Sequence, residues 1–380
     1  MEKRIMGRTG AVASLLGFGC MRFPTTKEGK IDETTAEQML DRAIAAGVNY
    51  IDTAYPYHNG ESEPFVGRVL QKYDRDSFYL ATKLPIWKVE KLEDVDAIIE
   101  EQLERLRTDH IDFYLMHAMN KERWDAMVKM GTVKRLEELK EEGKIRSLGF
   151  SFHDSYEVFE EILNYRDWDF CQIQLNYVDV NEQAGLKGYE LTVQKQIPLV
   201  IMEPVKGGRL ASFGEDIAEM FHAHDKDASI ASFALRWVGS LPNVKVILSG
   251  MSTMEQVEDN LATFAQFKPL SPEEHRTVDE VVTILNSRVK NGCTGCEYCM
   301  PCPFGVNIPG TFRMWNTYHM YENYNIVKQG WENMDEKALP KNCVKCGKCE
   351  QICPQKLNIR ADLAKAQEDL DGGVRNGESV

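Results

Sequence analysis

Eight short apolar runs, separated by stretches with apolar residues at three- and four-residue spacing, set the strongest limit on how this chain can fold. The runs fall near residues 16–20, 50–52, 78–83, 111–117, 145–151, 170–175, 198–202 and 244–249. Helical patterns such as 34–46 and 95–106 lie between them. Eight strand–helix repeats predict an α/β fold, a parallel (β/α)8 TIM barrel, with a hairpin around residues 3–15 in front of it. A doubly wound open sheet is the alternative, but Gly17-Phe-Gly19 lacks the third glycine of a phosphate loop, with Arg22 in its place. Three consecutive runs end in ionisable residues: Asp52, Lys83 and His117, with Tyr55 and Tyr57 close behind the first. In a parallel barrel every strand points its carboxyl end to one face, so these side chains are expected to share a pocket. One strand-end charge reads as a turn residue; three in succession read as a reaction site.

The 380 residues exceed a typical barrel by about a hundred, which leaves room for a smaller second domain. A formal net charge of −14, without a basic stripe, argues against nucleic-acid binding. The apolar piece 11–21 is short and glycine-broken, so it reads as the first strand and not as a secretory core. No run approaches the ~18 apolar residues of a membrane span. A soluble, cytoplasmic protein is expected. Ser271-Pro272 with two acids behind it opens a helix expected to reach about Asn286. The expected domains are therefore a barrel over 1–270, a connecting helix over 271–290 and a cysteine-rich domain over 291–380. Within the last, 307–339 is expected to be helical with one packed face, and the tail after Asp369 to fray. His222 and His224 read as surface residues.

The strand-end set resembles the aldo-keto reductase family, whose motif Asp-Thr-Ala-x-x-Tyr is matched by Asp52-Thr53-Ala54-Tyr55-Pro56-Tyr57. Further matches are Met6-Gly-Arg-Thr-Gly10 with Leu16-Gly-Phe-Gly19, Gly149-Phe-Ser151, Cys171-Gln-Ile-Gln174, and Ser249-Gly-Met-Ser252 with Asn260. The resemblance implies hydride transfer between NADP or NAD and a small carbonyl or alcohol, with a catalytic tetrad of Asp52, Tyr57, Lys83 and His117. Tyr57 would be the acid. An unperturbed phenol titrates near ~10, so the Lys83 ammonium would stabilise the phenolate, Asp52 would position the lysine and His117 would orient the substrate oxygen. The resemblance puts the nicotinamide carboxamide against Ser151 and Gln172, and the adenosine end near Gly250, Ser252 and Asn260. The chain departs from the family at Phe152, where asparagine is usual, and at Met202, where an aromatic residue is common. It also lacks a cation at Met251 and Gln256, which leaves NAD and NADP both open. Lys206 and Arg209 read equally as pyrophosphate contacts or as solvated residues.

Eight of the ten cysteines lie between Cys293 and Cys353. Without a secretory segment, metal ligation is a better reading than disulfides. The sets are Cys293-x2-Cys296-x2-Cys299-x2-Cys302-Pro303 and Cys343-x2-Cys346-x2-Cys349-x3-Cys353-Pro354. The second matches the bacterial ferredoxin run, in which the fourth cysteine ligates the other cluster. That resemblance implies a small helical ferredoxin-like domain with two [4Fe-4S] clusters. Cys293, Cys296, Cys299 and Cys353 would hold one, and Cys343, Cys346, Cys349 and Cys302 the other. Zinc is the alternative. Aldo-keto reductases with such a module form a subgroup that this chain resembles. The expected role of the clusters is electron exchange with a partner redox protein; the alternative is a redox-sensing or partner-binding subunit with structural or regulatory clusters.

Overall fold

In the computed structural model, which describes residues 1–376, the eight apolar runs are parallel strands closed into a barrel. They are β1 Leu16–Gly19, β2 Tyr50–Asp52, β3 Tyr79–Leu84, β4 Ile111–Met119, β5 Ile145–Phe152, β6 Cys171–Gln174, β7 Leu199–Met202 and β8 Val244–Ser249. Each pairs with the next, and β8 closes on β1 through Ile247 and Leu16. The antiparallel pair Lys3–Ile5 and Val12–Ser14 precedes them. Ala13 of this pair and the adjacent Met6 join Tyr50, Phe113, Phe170 and Val246 in the barrel core. Burying side chains of this size stabilises the fold by about 1.5–3 kcal/mol each.

The helices are α1 Glu33–Ala45, α2 Ser62–Leu70, α3 Glu93–Leu106, α4 Lys121–Met130, α5 Thr132–Glu141, α6 Tyr156–Tyr165, α7 Gly185–Gln194, α8 Glu215–His222, α9 Ile230–Gly239 and α10 Met254–Ala265. Side-chain caps start several of them: Asp32 accepts from the Thr35 amide, Asn120 from Arg123 and Ser229 from Ser232. Helix α2 lies close against the end of α3. A Cβ on Gly67 would stand 2.3 Å from the Arg105 carbonyl oxygen. Gly67→Ala must therefore push backbone away from backbone. A loss of about 1–3 kcal/mol is expected in urea unfolding; an unchanged midpoint would contradict this packing.

Strand β4 runs two residues past His117, and its pairing with β5 shifts between Met116 and Met119. Ala118 takes φ 52° there, a left-handed conformation unusual for alanine, and its amide donates to Ser151 Oγ at 2.8 Å. Such an irregularity re-aims the side chains around it. Ser151 thus fixes the backbone directly behind His117.

The described chain divides into two units, one from Met1–Ala211 and Ala228–Pro272, the other from Ser212–Asp227 and the residues from Glu273 on. Continuity of sequence assigns 212–227 to the barrel domain; the structure puts them in the second unit. Phe213 stacks on Tyr321 at 6.2 Å, and Arg288 donates to Asp216 at 2.5 Å. The second unit also holds α11 Pro272–Ser287, α12 Ile308–Tyr321, α13 Asn325–Glu332, α14 Lys348–Ile352 and α15 Ile359–Asn376. Its core includes Ile308, Phe312, Trp315, Val327, Trp331, Leu363, Ala366 and Leu370. Of the tail expected to fray after Asp369, the part up to Asn376 is instead the end of α15, and 377–380 lie outside the described residues. Leu363, Ala366 and Leu370 continue a helical stripe into the core, while Asp369 and Asp371 accept hydrogen bonds from the Trp315 and Trp331 indoles. Gly373 reads in the sequence as a helix breaker. The Tyr324 ring packs where its Cβ would be, 2.4 Å away.

Candidate functional site

Strands β2, β3 and β4 bring Asp52, Lys83 and His117 together as their shared direction requires. Lys83 is 1 % exposed, and its ammonium donates to both Asp52 carboxylate oxygens at 2.8 and 2.9 Å and to the Thr53 carbonyl at 2.8 Å. Tyr57 opens the turn after β2. Its ring centroid lies 5.1 Å from Lys83 Nζ and 6.3 Å, edge-on, from the His117 ring. The phenol and the ammonium each shift the other's titration. Burial alone would lower the lysine's pKa, but the Asp52 charge and Tyr57 overcome it and raise it above the ordinary value. Burial raises the Tyr57 phenol above its ordinary value, with Lys83 pulling the other way. Tyr57 is therefore protonated at neutral pH beside a cation that offsets the charge left when its proton departs. Burial, then the charges of Lys83, His153 and Arg123, hold His117 well below 6.5, so its ring is neutral; Nδ1 is buried without a partner.

Behind this set lies a buried polar network with no periodic signal in the sequence. Glu63, fully buried, accepts from Thr82 at 2.7 Å and Gln102 at 2.6 Å. Gln102 also donates to the Lys83 carbonyl at 3.1 Å and accepts from Tyr114 at 2.7 Å. The network pins β3 at the residue that carries the ammonium. Tyr55, the rival phenol, is held away by Glu101 at 3.2 Å and Lys88 at 2.9 Å. Trp87 was also missed by the sequence reading. It follows β3 on a short turn, 46 % exposed, with its ring 5.2 Å from His117.

Ser151 and Gln172 face each other across β5 and β6 as register partners, both buried. Gln172 Nε2 reaches the Met202 sulfur at 3.4 Å, while Oε1 has no partner. A buried amide oxygen left bare suits a ligand N–H. Phe152, standing where asparagine is usual, packs against Phe150 and Phe159. Gly250 and Ser252 lie exposed after β8, where Ser252 Oγ donates to the Arg22 carbonyl at 2.8 Å and the Ser252 amide donates to Gln256 Oε1 at 2.7 Å. Asn260 is buried and donates to Ser249 Oγ at 2.8 Å, so it supports the end of β8. Arg22 lies against Gly250, whose Cβ would meet its Cγ at 2.7 Å. Lys206 is paired with Asp179. His222 and His224 are exposed, the latter hydrogen-bonded to Thr277 at 2.7 Å.

A sequence model of the aldo/keto reductase family matches residues 15–283. This chain belongs to the aldo/keto reductase family. It is an oxidoreductase of that family with a 4Fe-4S dicluster domain matched over residues 292–357. L-galactose dehydrogenase of Arabidopsis thaliana is 28% identical over 312 residues, covering 77% of this chain and 96% of that one. The NADH-specific methylglyoxal reductase of Escherichia coli is 27% identical over 310 residues, covering 69% and 93%. The solved aldo-keto reductase AKR11C1 from Bacillus halodurans, holo form, superposes with a TM-score of 0.62 at 28% identity, over 74% of this chain and 96% of that chain. Among the described residues, no helix is long and apolar enough to cross a membrane.

In the dicluster domain of this aldo/keto reductase the thiols ring two hollows. One, of about 250 Å³, is lined by Cys299, Cys302, Cys343, Cys346 and Cys349; the other by Cys293, Cys296, Cys299 and Cys353. Each hollow thus takes the last cysteine of the opposite run. Among the described residues, no three His, Cys, Asp or Glu side chains converge closely enough for a single ion.

Proposed function

We propose that this reductase interconverts a small carbonyl compound and its alcohol with NADPH or NADH. The observation that carries the reading is the buried Lys83–Asp52 pair beside protonated Tyr57, with a neutral His117 facing the same space. When bound, the nicotinamide supplies the hydride to the carbonyl carbon. Tyr57 then gives its proton to the carbonyl oxygen, Lys83 offsets the phenolate charge, and Asp52 keeps the ammonium in position. The neutral His117 ring hydrogen-bonds the oxygen. Gln172 Oε1 and the Ser151 hydroxyl offer an acceptor and a donor to a carboxamide, and Gly250, Ser252 and Asn260 form or support the edge toward the adenosine end.

In the cysteine domain, Cys293, Cys296, Cys299 and Cys353 hold one [4Fe-4S] cluster, and Cys343, Cys346, Cys349 and Cys302 the second; the lining of the two hollows supports this crossed assignment. The clusters supply one-electron steps to a partner redox protein. The domains are a barrel over 1–270, a connecting helix over 271–290 and the cluster domain over 291–380, with 212–227 contributed to the last, and the protein works in the cytoplasm.

The test is oxidation of NADPH and NADH by anaerobically purified protein with a panel of small aldehydes and ketones. Turnover is expected, with no rate inflection of ordinary imidazole type near 6.5, because His117 is already neutral there. The same depression costs stability as pH falls below 6.5, where the unfolded chain takes up a proton that folded His117 refuses. Absence of turnover with either nucleotide would overturn the reading.

A further inference from the structure

Beside His117 stands a positive charge that the chemistry above does not use. Arg123, in the first turn of α4, donates Nη1 to the carbonyl of Ala118 at 2.7 Å. Ala118 is the residue with left-handed backbone directly after His117, so the guanidinium is tied to the strand end that carries the histidine. It is half-buried, and no carboxylate pairs with it among the described residues. The guanidinium carbon lies 5.7 Å from the Trp87 ring centroid, and the same ring lies 5.2 Å from His117. His117 and Arg123 thus both stand close to one exposed indole. Burial holds the His153 ring below its ordinary value despite the charge of Glu203, so this histidine adds no second cation beside Arg123.

A guanidinium is a planar fork that matches a carboxylate, and one held by a backbone carbonyl loses little freedom when it binds. A neutral carbonyl compound would leave that fork to water. We propose that Arg123 and Trp87 form a carboxylate-binding subsite, and that the substrate is a carbonyl compound bearing a carboxylate one ring or short chain from the reacting carbon. The carbonyl oxygen sits at Tyr57 and His117, the body of the molecule lies on the Trp87 indole, and the carboxylate meets Arg123. This rests on the carbonyl-reductase reading of the same pocket.

The experiment compares 4-carboxybenzaldehyde with its neutral methyl ester on the full protein, as wild type, Arg123→Ala and Arg123→Lys. The wild type is expected to favour the acid in kcat/KM by about 10- to 100-fold, from a charge-assisted paired hydrogen bond. In Arg123→Ala the ratio falls to near one, and Arg123→Lys recovers part of it. Equal rates with acid and ester in the wild type, or a preference that survives Arg123→Ala, overturn the subsite. Binding is read separately by titrating benzoate against tryptophan fluorescence. Quenching is expected in the wild type and is lost in Trp87→Phe and in Arg123→Ala. If neither aldehyde turns over but the Arg123-dependent quenching is seen, the anion subsite stands and the reductase reading falls. If turnover is brisk but quenching and preference are both missing, the subsite falls alone.

Discussion

Tyr57→Phe is expected to lower carbonyl turnover by about 10²- to 10⁴-fold while the protein melts where the wild type does. The substitution deletes one hydroxyl and keeps the ring, with its edge contact to His117 and its position beside Lys83. What is lost is a proton source covalently held in place beside a buried ammonium; water entering the gap is a weaker acid and is not held there. The fall should appear in kcat, with KM for the carbonyl compound changed far less, because the hydroxyl acts in the transition state. Lys83 is a poorer probe of the same step. Removing its ammonium leaves Asp52 buried and unpaired, which costs about 3–5 kcal/mol and confounds rate with folding. A Tyr57→Phe protein that keeps more than a tenth of the wild-type rate would remove Tyr57 from the role of acid.

Cys302→Ala is expected to halve the iron and sulfide of anaerobically purified protein, from about eight of each per chain to about four. The informative comparison is the double variant Cys302→Ala with Cys346→Ala. If Cys302 completes the centre of Cys343, Cys346 and Cys349, both changes strike one cluster and the double variant also retains about four irons. If each run of cysteines closes on itself, the double variant loses both clusters and its iron approaches zero. Sharing of one hollow by Cys302 and the second run favours the first outcome. Zinc without sulfide in the unaltered protein would sink the cluster assignment altogether.

The eight strands were legible because burial between barrel interior and surrounding helices demands near-continuous apolar runs, and because the run ends at Asp52, Lys83 and His117 break that pattern abruptly. The residues that support the site were not. Glu63 and Gln102 lie on helices α2 and α3, where a carboxylate and an amide look like solvent-facing residues; only the tertiary packing buries them and turns them toward Lys83. Trp87 and Arg123 sit on a turn and a first helical turn, where no periodicity marks a side chain as facing the pocket. The helix after Asp369 was misread because local propensity penalises Gly372 and Gly373, whereas the packing of Tyr324 against the second of them favours a residue without a side chain.

Residues 212–227 leave the first unit after β7 and return to it before α9, yet their partners in the second unit, Arg288 and Tyr321 among them, lie far downstream. On a ribosome, Phe213 and Asp216 emerge long before the ring and the guanidinium they pack with. The second unit can therefore be completed only late in synthesis, and it holds a piece of chain that both precedes and is followed by barrel sequence. No single cut separates the two. A protein truncated near residue 290 would strand Phe213 without Tyr321, and a cysteine domain expressed alone would lack α8. The second unit, cysteine runs included, is thus not an appendage that could be gained, lost or swapped at one junction.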